Sequence, residues 1–252
     1  MCHVMSAYFN QQEDKSMAKI LYEGKSKIIC EGPNDASVIV RYKDTATAFN
    51  GEKKEELAGK GKLNAAISNL LYGYIARHGI KTHLLEVIDD TTALVKKAEI
   101  VMVEVIVRNV AAGSFSKKYG VPEGTALQNT TTEFSVKSDK LGDPMINDSQ
   151  ITALGLATAE ELAYMTAQAL KINELLYALF EKAGIRLIDF KLEFGRCNGK
   201  IILCDEISPD SCRFWDADTD KKLDKDRFRR DLGDVLGGYQ DVLERLKHVL
   251  SL

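Results

Sequence analysis

Residues 187 to 195 read Leu-Ile-Asp-Phe-Lys-Leu-Glu-Phe-Gly, an alternation of apolar and charged side chains that only an extended strand sorts onto two faces. From Ile188 onward, Ile188, Phe190, Leu192 and Phe194 turn toward a core, while Asp189, Lys191 and Glu193 line up on the other side. A second apolar run, Ile201 to Ile207, returns after Asn198-Gly199 and makes a hairpin. Its register decides where Asp205 points. A two-residue type I′ loop pairs Glu193 with Cys204 and turns Asp205 to the apolar face. A three-residue loop of Cys197, Asn198 and Gly199 with a G1 bulge pairs Lys191 with Asp205 and leaves Glu193 diagonal to them. The second register is the expected one, because it leaves no aspartate buried without a partner. It also brings two carboxylates within reach of one cation, and oxygen donors of this kind suit Mg²⁺. A charged, solvated strand face is the plainer reading of the same residues.

The remaining composition narrows the class of protein. With 252 residues, 45% hydrophobic and 28% charged, the chain can build two lobes around sizeable cores. A net charge of −3 offers no general attraction to nucleic acid or anionic membrane. No apolar run approaches a bilayer span and residues 1 to 17 lack the apolar stretch of a signal peptide, so a cytoplasmic protein is expected. The five cysteines include no C-x-x-C pair, and the four histidines are scattered, which points away from disulfides, zinc and histidine catalysis.

Along the chain, residues 1 to 16 are polar and unpatterned and read as a flexible, dispensable extension. Residues 17 to 97 read as a first lobe: a meander of three short strands, a loop at Thr47 to Gly51, a helix from Lys62 to His78 and a hairpin around Asp89-Asp90. Lys25 and Lys27 fall on one side of the first hairpin beside Gly24, as a phosphate-covering turn requires. Lys97 to Glu99 is a hinge, and residues 98 to 252 form the second lobe. Its first strand, Ile100 to Arg108, carries Glu104 and Arg108 on one face, paired with each other or holding an anion beside Ser114. Tyr119 to Asp148 reads as a long loop containing Lys137. Thr158 and Glu161 make a capping box that opens a helix ending at Gly184. Asp224 to Leu250 is helical by pattern, interrupted at Gly233 and at Gly237-Gly238.

Several separated stretches occur together and in order: Tyr22-Glu23-Gly24-Lys25-Ser26-Lys27, Thr47 to Gly51, Glu104 to Arg108 with Ala112-Gly113-Ser114, Asp143-Pro144-Met145-Ile146, Asp189 to Gly195, and Asp205 to Asp216. In these the chain closely resembles the phosphoribosylaminoimidazole-succinocarboxamide synthase (SAICAR synthetase) family of purine biosynthesis, from about Met17 to the C-terminus. Met102 stands where the family signature carries proline. The resemblance implies an α+β, two-lobe fold related to ATP-grasp enzymes, with antiparallel sheets, packed helices and the nucleotide in the cleft between lobes. It implies a ligase that uses ATP to join L-aspartate to the carboxylate of carboxyaminoimidazole ribotide (CAIR) through an acyl phosphate, as a homo-oligomer, a dimer for example. Lys25, Lys27, Lys96, Ile100 and Lys137 would meet ATP. Glu193 and Asp205 would hold Mg²⁺. Arg108, Ser114, Asp210 and Arg213 would bind the ribotide, with Asp189 and Lys191 in the same pocket and closest to the chemistry. A small-molecule kinase and a non-enzymatic ATP-binding module are the competing readings, and the Arg108 to Ser114 and Asp205 to Arg213 segments argue against the kinase.

Overall fold

A computed structural model describes residues 19–251; the expectations for residues 1 to 16, Cys2 and His3 lie outside them. The chain starts as the expected meander, β1 (Ile20–Glu23), β2 (Lys27–Glu31) and β3 (Ser37–Tyr42). A two-stranded ribbon follows, β4 (Thr45–Ala48) with β5 (Lys53–Glu56), joined through a 3-10 turn at Phe49–Gly51. Thr47 and Ala48 are therefore strand rather than loop. Helix α1 (Lys60–Arg77) starts two residues earlier than its apolar spacing suggests and ends before Gly79, whose φ of +85° suits a residue without a Cβ. Strands β6 (Leu84–Val87) and β7 (Thr92–Lys96) complete a five-stranded antiparallel sheet in the order β1-β2-β3-β7-β6.

The second sheet is built on β8 (Glu99–Val110) and β11 (Ile185–Cys197), which pair antiparallel along most of their length. Its order is β10-β9-β8-β11-β12, with β9 (Ala126–Val136), β10 (Met145–Ile146) and β12 (Lys200–Cys204), while β13 (Cys212–Asp216) pairs with the far end of β11. The long loop expected at Tyr119 to Asp148 thus contains an eleven-residue strand. Its Asn-Thr-Thr-Thr-Glu sequence lacks the apolar alternation that marks a half-buried strand, because β9 is held by its ladder to β8 more than by burial.

Helix α2 (Gly113–Tyr119) follows β8, and α3 (Asp148–Ala153) precedes α4 (Ala159–Lys182). Thr158 and Glu161 close the capping box that opens α4. Leu162, Met165, Ala169, Ile172, Leu176 and Leu179 of α4 all sit in the main core under β8 and β11; truncating any large member of that stripe costs about 2–5 kcal/mol. Ile188 does not share that core. A bulge between Leu187 and Asp189 sends Leu187 to the main core and leaves Ile188 in a satellite cluster with Val110, Ala112 and Trp215.

The C-terminal segment is helical in two pieces, α5 (Asp226–Arg229) and α6 (Val235–Val249), with Gly233 at φ +67° and Asp234 at +45° between them. Gly237 and Gly238 lie inside α6 instead of breaking it. The Asp234 carboxylate caps the helix on the Gly237 N–H, and a Cβ on Gly237 would stand 2.2 Å from that carboxylate.

Candidate functional site

The hairpin takes the register that the sequence argument set aside. Cys197 pairs with Lys200, so Asn198 (φ +50°) and Gly199 (φ +70°) form a two-residue loop with both residues left-handed, a type I′ turn. Glu193 accordingly pairs with Cys204, and Asp205 does not lie opposite Lys191. Asp205 is not left buried without a partner, because β12 stops at Cys204 and Asp205 leaves the strand with φ +63°. That one left-handed residue turns the carboxylate onto Lys27 of β2, in the other sheet. The rejected register looked costly only on the assumption that β12 stays extended through Asp205.

A cavity of about 780 Å³ opens between the two sheets, and Lys25, Lys27, Lys96, Ile100, Lys137, Glu193 and Asp205 all line it. Lys27 is buried and bonds both Asp205 and, at 2.8 Å, Glu206. Burial opposes its charge, yet Asp205 and Glu206 outweigh burial and hold the ammonium well above the usual lysine range. Burial would likewise raise Asp205, but Lys27, Lys191 and Lys137 pull it down to about 2. Glu193 takes Lys137 and Lys191, each at 2.9 Å, on the same oxygen, Oε1. Lys191 also reaches Glu104 at 2.6 Å, and Ser135 donates to Glu104 from β9. Lys25 pairs with Asp139 at 2.7 Å across the mouth, and Lys96 donates to the Thr82 carbonyl.

A smaller cavity, of about 430 Å³, holds Arg108, Ser114, Asp189, Lys191, Asp210 and Arg213. Glu104 and Arg108 share a face of β8 but do not pair. Arg108 donates to Asp189 (2.6 Å), Glu133 (2.5 Å) and Ser114 (3.2 Å). Asp189 is buried between Arg108 and Arg213, and Arg213 in turn bonds Asp226 at 2.9 Å. Burial disfavours the charge on Arg213, but Asp189 and Asp226 raise its pKa. Gly113 makes this approach possible: its φ is +55°, and a Cβ there would stand 2.3 Å from Arg213 Nη2. Asp210 meets Lys60 Nζ at 2.7 Å and accepts from the Tyr239 hydroxyl at 2.7 Å. The cavities share the wall formed by Glu104, Asp143, Lys191, Asp210, Ser211 and Arg229.

A family model described as SAICAR synthetase matches residues 20–246. The chain belongs to the SAICAR synthetase family. It is 54% identical over 230 residues to the phosphoribosylaminoimidazole-succinocarboxamide synthase of Clostridium perfringens strain 13, covering 91% of this chain and 98% of that protein. Against the enzyme of the same name from Finegoldia magna it is 53% identical over 228 residues, covering 90% and 98%. Among solved structures, the Ehrlichia chaffeensis enzyme superposes with a TM-score of 0.89 at 43% identity, covering 91% and 98% of the two chains. A SAICAR synthetase in complex with ADP gives 0.88 at 45%, with the same coverage.

Reading the SAICAR synthetase motifs alone misses part of both cavities. Glu206 follows Asp205 directly and could have been found as a second partner for Lys27. Lys60 carries no such signal, since a lysine at the start of an amphipathic helix reads as solvated, and here it is fully buried on Asp210. Asp226 and Arg229 sit on the single turn of α5, too short for a periodic pattern. Met102, at the family's proline position, lines the larger cavity, and its carbonyl accepts from the Lys137 N–H.

Proposed function

We infer that this chain catalyses the reaction after which its relatives are named: ATP-dependent joining of L-aspartate to the carboxylate of CAIR, giving SAICAR, ADP and phosphate in purine biosynthesis. The observation that carries the reading is the pair of cavities meeting at one wall, one holding lysines with Glu193 and Asp205, the other paired guanidiniums. Amide formation needs the carboxylate oxygen turned into a leaving group, and transfer of the γ-phosphoryl group to it does this. The ATP phosphates then belong in the larger cavity under Lys25 and Lys27, with Lys137 as a further contact and the Lys96 to Ile100 segment beside the adenine. The ribotide belongs in the smaller one, where Arg108, Ser114, Asp210 and Arg213 meet it. Asp189 fixes the two guanidiniums, and Lys191, on the shared wall, neutralises charge where phosphoryl donor and acceptor come together.

Magnesium fits the donor set. Asp205 gives Oδ1 to Lys27 and Glu193 gives Oε1 to its lysines, so each carboxylate keeps a second oxygen. Two such oxygens suit a cation that takes one or two carboxylates and completes its shell with water and phosphate. Bound there, Mg²⁺ would neutralise charge on the triphosphate.

The division into lobes at 17–97 and 98–252 belongs to the same proposal. It is supported by a first sheet that ends at Lys96 and a second that begins at Glu99, although Ile67, Leu71 and Ile75 of α1 pack into the core of the second. So do a cytoplasmic location, in keeping with free thiols at Cys30, Cys197, Cys204 and Cys212, and a homo-oligomer, for which the exposed Ile20, Leu21 and Tyr22 of edge strand β1 supply apolar surface; sedimentation tests the latter. Among the described residues no helix is long and apolar enough to cross a membrane. ADP release measured with each substrate omitted tests the function: it should require CAIR and aspartate together, and release supported by an alcohol alone, or by ATP alone, rejects the ligase.

A further inference from the structure

Asp210 faces both cavities, and two side chains that line neither hold its carboxylate. Lys60, at the start of α1, places its ammonium 2.7 Å from Oδ2, and the Tyr239 hydroxyl of α6 donates to Oδ1 at 2.7 Å. The Asp210 N–H donates to Ser208 Oγ at 3.1 Å, which fixes the backbone as well. Lys60 is fully buried, and it stands in the first turn of a helix, where the dipole disfavours a cation. A buried ion pair is a weak source of stability, since apolar side chains of similar volume often hold a fold as well or better. Stability alone therefore gives no reason for a lysine at this place. The carboxylate that it meets supplies one.

We propose that Lys60 and Tyr239 are positioning residues, clamping the Asp210 carboxylate from behind so that it meets the ribotide ionised and in one orientation. This role rests on the ligase reading and adds to it two side chains that touch no substrate. With a partner on each oxygen the carboxylate is held against rotation, and each oxygen keeps acceptor capacity for a donor group of the ribotide. Burial would raise the Asp210 carboxyl, but Lys225, 3.6 Å away, and Lys60 outweigh it and hold the group far below the usual aspartate range, with the Tyr239 hydroxyl adding to them. Without the Lys60 ammonium, burial would act on Asp210 with less opposition. The carboxyl would then take up a proton more readily and lose part of its acceptor capacity.

Steady-state kinetics with CAIR and ATP varied in turn, repeated from about pH 5 to 8, test the clamp. Lys60→Met keeps the length of the side chain and removes its charge. The KM for CAIR should rise about tenfold to a hundredfold, the scale of a hydrogen bond to a charged group, while the KM for ATP stays within about twofold. The acid-side fall of kcat/KM for CAIR should also begin about one pH unit or more above that of the wild type. A lysine that only fills space would change the melting temperature and leave that acid limb where it is. In an Asp210→Asn background, Lys60→Met should raise the KM for CAIR no further, because the group it acts through is gone. Should Lys60→Met fail to fold, Tyr239→Phe removes the other half of the clamp by a single hydroxyl, and it should raise the KM for CAIR about tenfold and move the acid limb the same way. The clamp is overturned, with the ligase reading left in place, by an unchanged CAIR KM and acid limb in Lys60→Met, or in Tyr239→Phe where Lys60→Met does not fold. An effect of Lys60→Met as large in Asp210→Asn as in the wild type overturns it too. A wild-type protein that makes no SAICAR from ATP, CAIR and aspartate overturns the reading itself.

Discussion

Arg213 reaches Asp189 through Nη1 and Asp226 through Nε, from a position that a side chain at Gly113 would obstruct. A lysine there keeps the charge but cannot span both carboxylates. Arg108→Lys or Arg213→Lys should therefore lower kcat/KM for the ribotide by about 1.5–3 kcal/mol, the scale of a hydrogen bond to a charged group, with nucleotide affinity scarcely changed. Calorimetric titration with each ligand decides it, and equal losses for both would move these arginines to the nucleotide half. A second residue-scale outcome concerns pH. His83 is buried against Tyr72, and burial pushes its pKa down to about 4. The unfolded chain binds the extra proton first, so stability should fall as pH drops from about 6.5 toward 4, by about 3 kcal/mol in all. Asp205 has the opposite origin. Its carboxylate is depressed from 3.8 to about 2, so its contribution persists above 3.8 and fades only as pH falls toward 2. Urea denaturation of wild type and His83→Asn at pH 7 and 5 separates the two: the variant should lose the difference between those pH values, and an unchanged difference rejects His83 as its source. None of this was visible at the sequence level, where His83 is one scattered histidine, because burial comes from elements far apart in the chain. That Arg108, Ser114 and Arg213 share one cavity was readable, since motif order groups them.

At the scale of elements, the hairpin shows how a correct strand can carry a wrong register. The alternation from Asp189 to Glu193 identified β11 and its polar face, and the Asn-Gly pair identified the turn. What the pattern could not convey is that β12 ends one residue before Asp205, because a left-handed non-glycine residue leaves no apolar or polar signature. The same blindness hid β9, whose threonines have strand propensity without alternation. Gly199→Ala should cost about 1 kcal/mol of stability, since Ala resists the left-handed region that the type I′ turn needs; equal urea midpoints would contradict the turn assignment. Asp205→Asn keeps a side chain that tolerates φ +63° but removes the charge facing Lys27. Turnover should drop by roughly two to three orders of magnitude, the effect of losing one group that stabilises the transition state electrostatically. Near-native turnover at limiting Mg²⁺ would remove Asp205 from the proposed metal site.

For the molecule as a whole, the larger cavity matters because neither sheet encloses it alone. Lys25 and Lys27 come from the first sheet, Lys137, Glu193 and Asp205 from the second, and the two are joined where Leu203 of β12 exchanges backbone hydrogen bonds with Lys81 and His83. A ligand held by both sheets binds the folded chain and not the unfolded one, so it must stabilise the whole fold. At a hundredfold excess over its dissociation constant, MgATP should add about 2.7 kcal/mol to the unfolding free energy. Part of that gain should depend on the cation, because Glu193 and Asp205 each keep one oxygen that lysine does not occupy. Denaturation with ATP plus Mg²⁺ and with ATP plus EDTA measures that part directly. Glu193→Gln should abolish it and leave the cation-independent gain in place, since Lys25 and Lys27 stand on the other sheet. If EDTA makes no difference in the wild type, the cation does not bridge nucleotide and protein here, and Glu193 and Asp205 serve to hold the lysines.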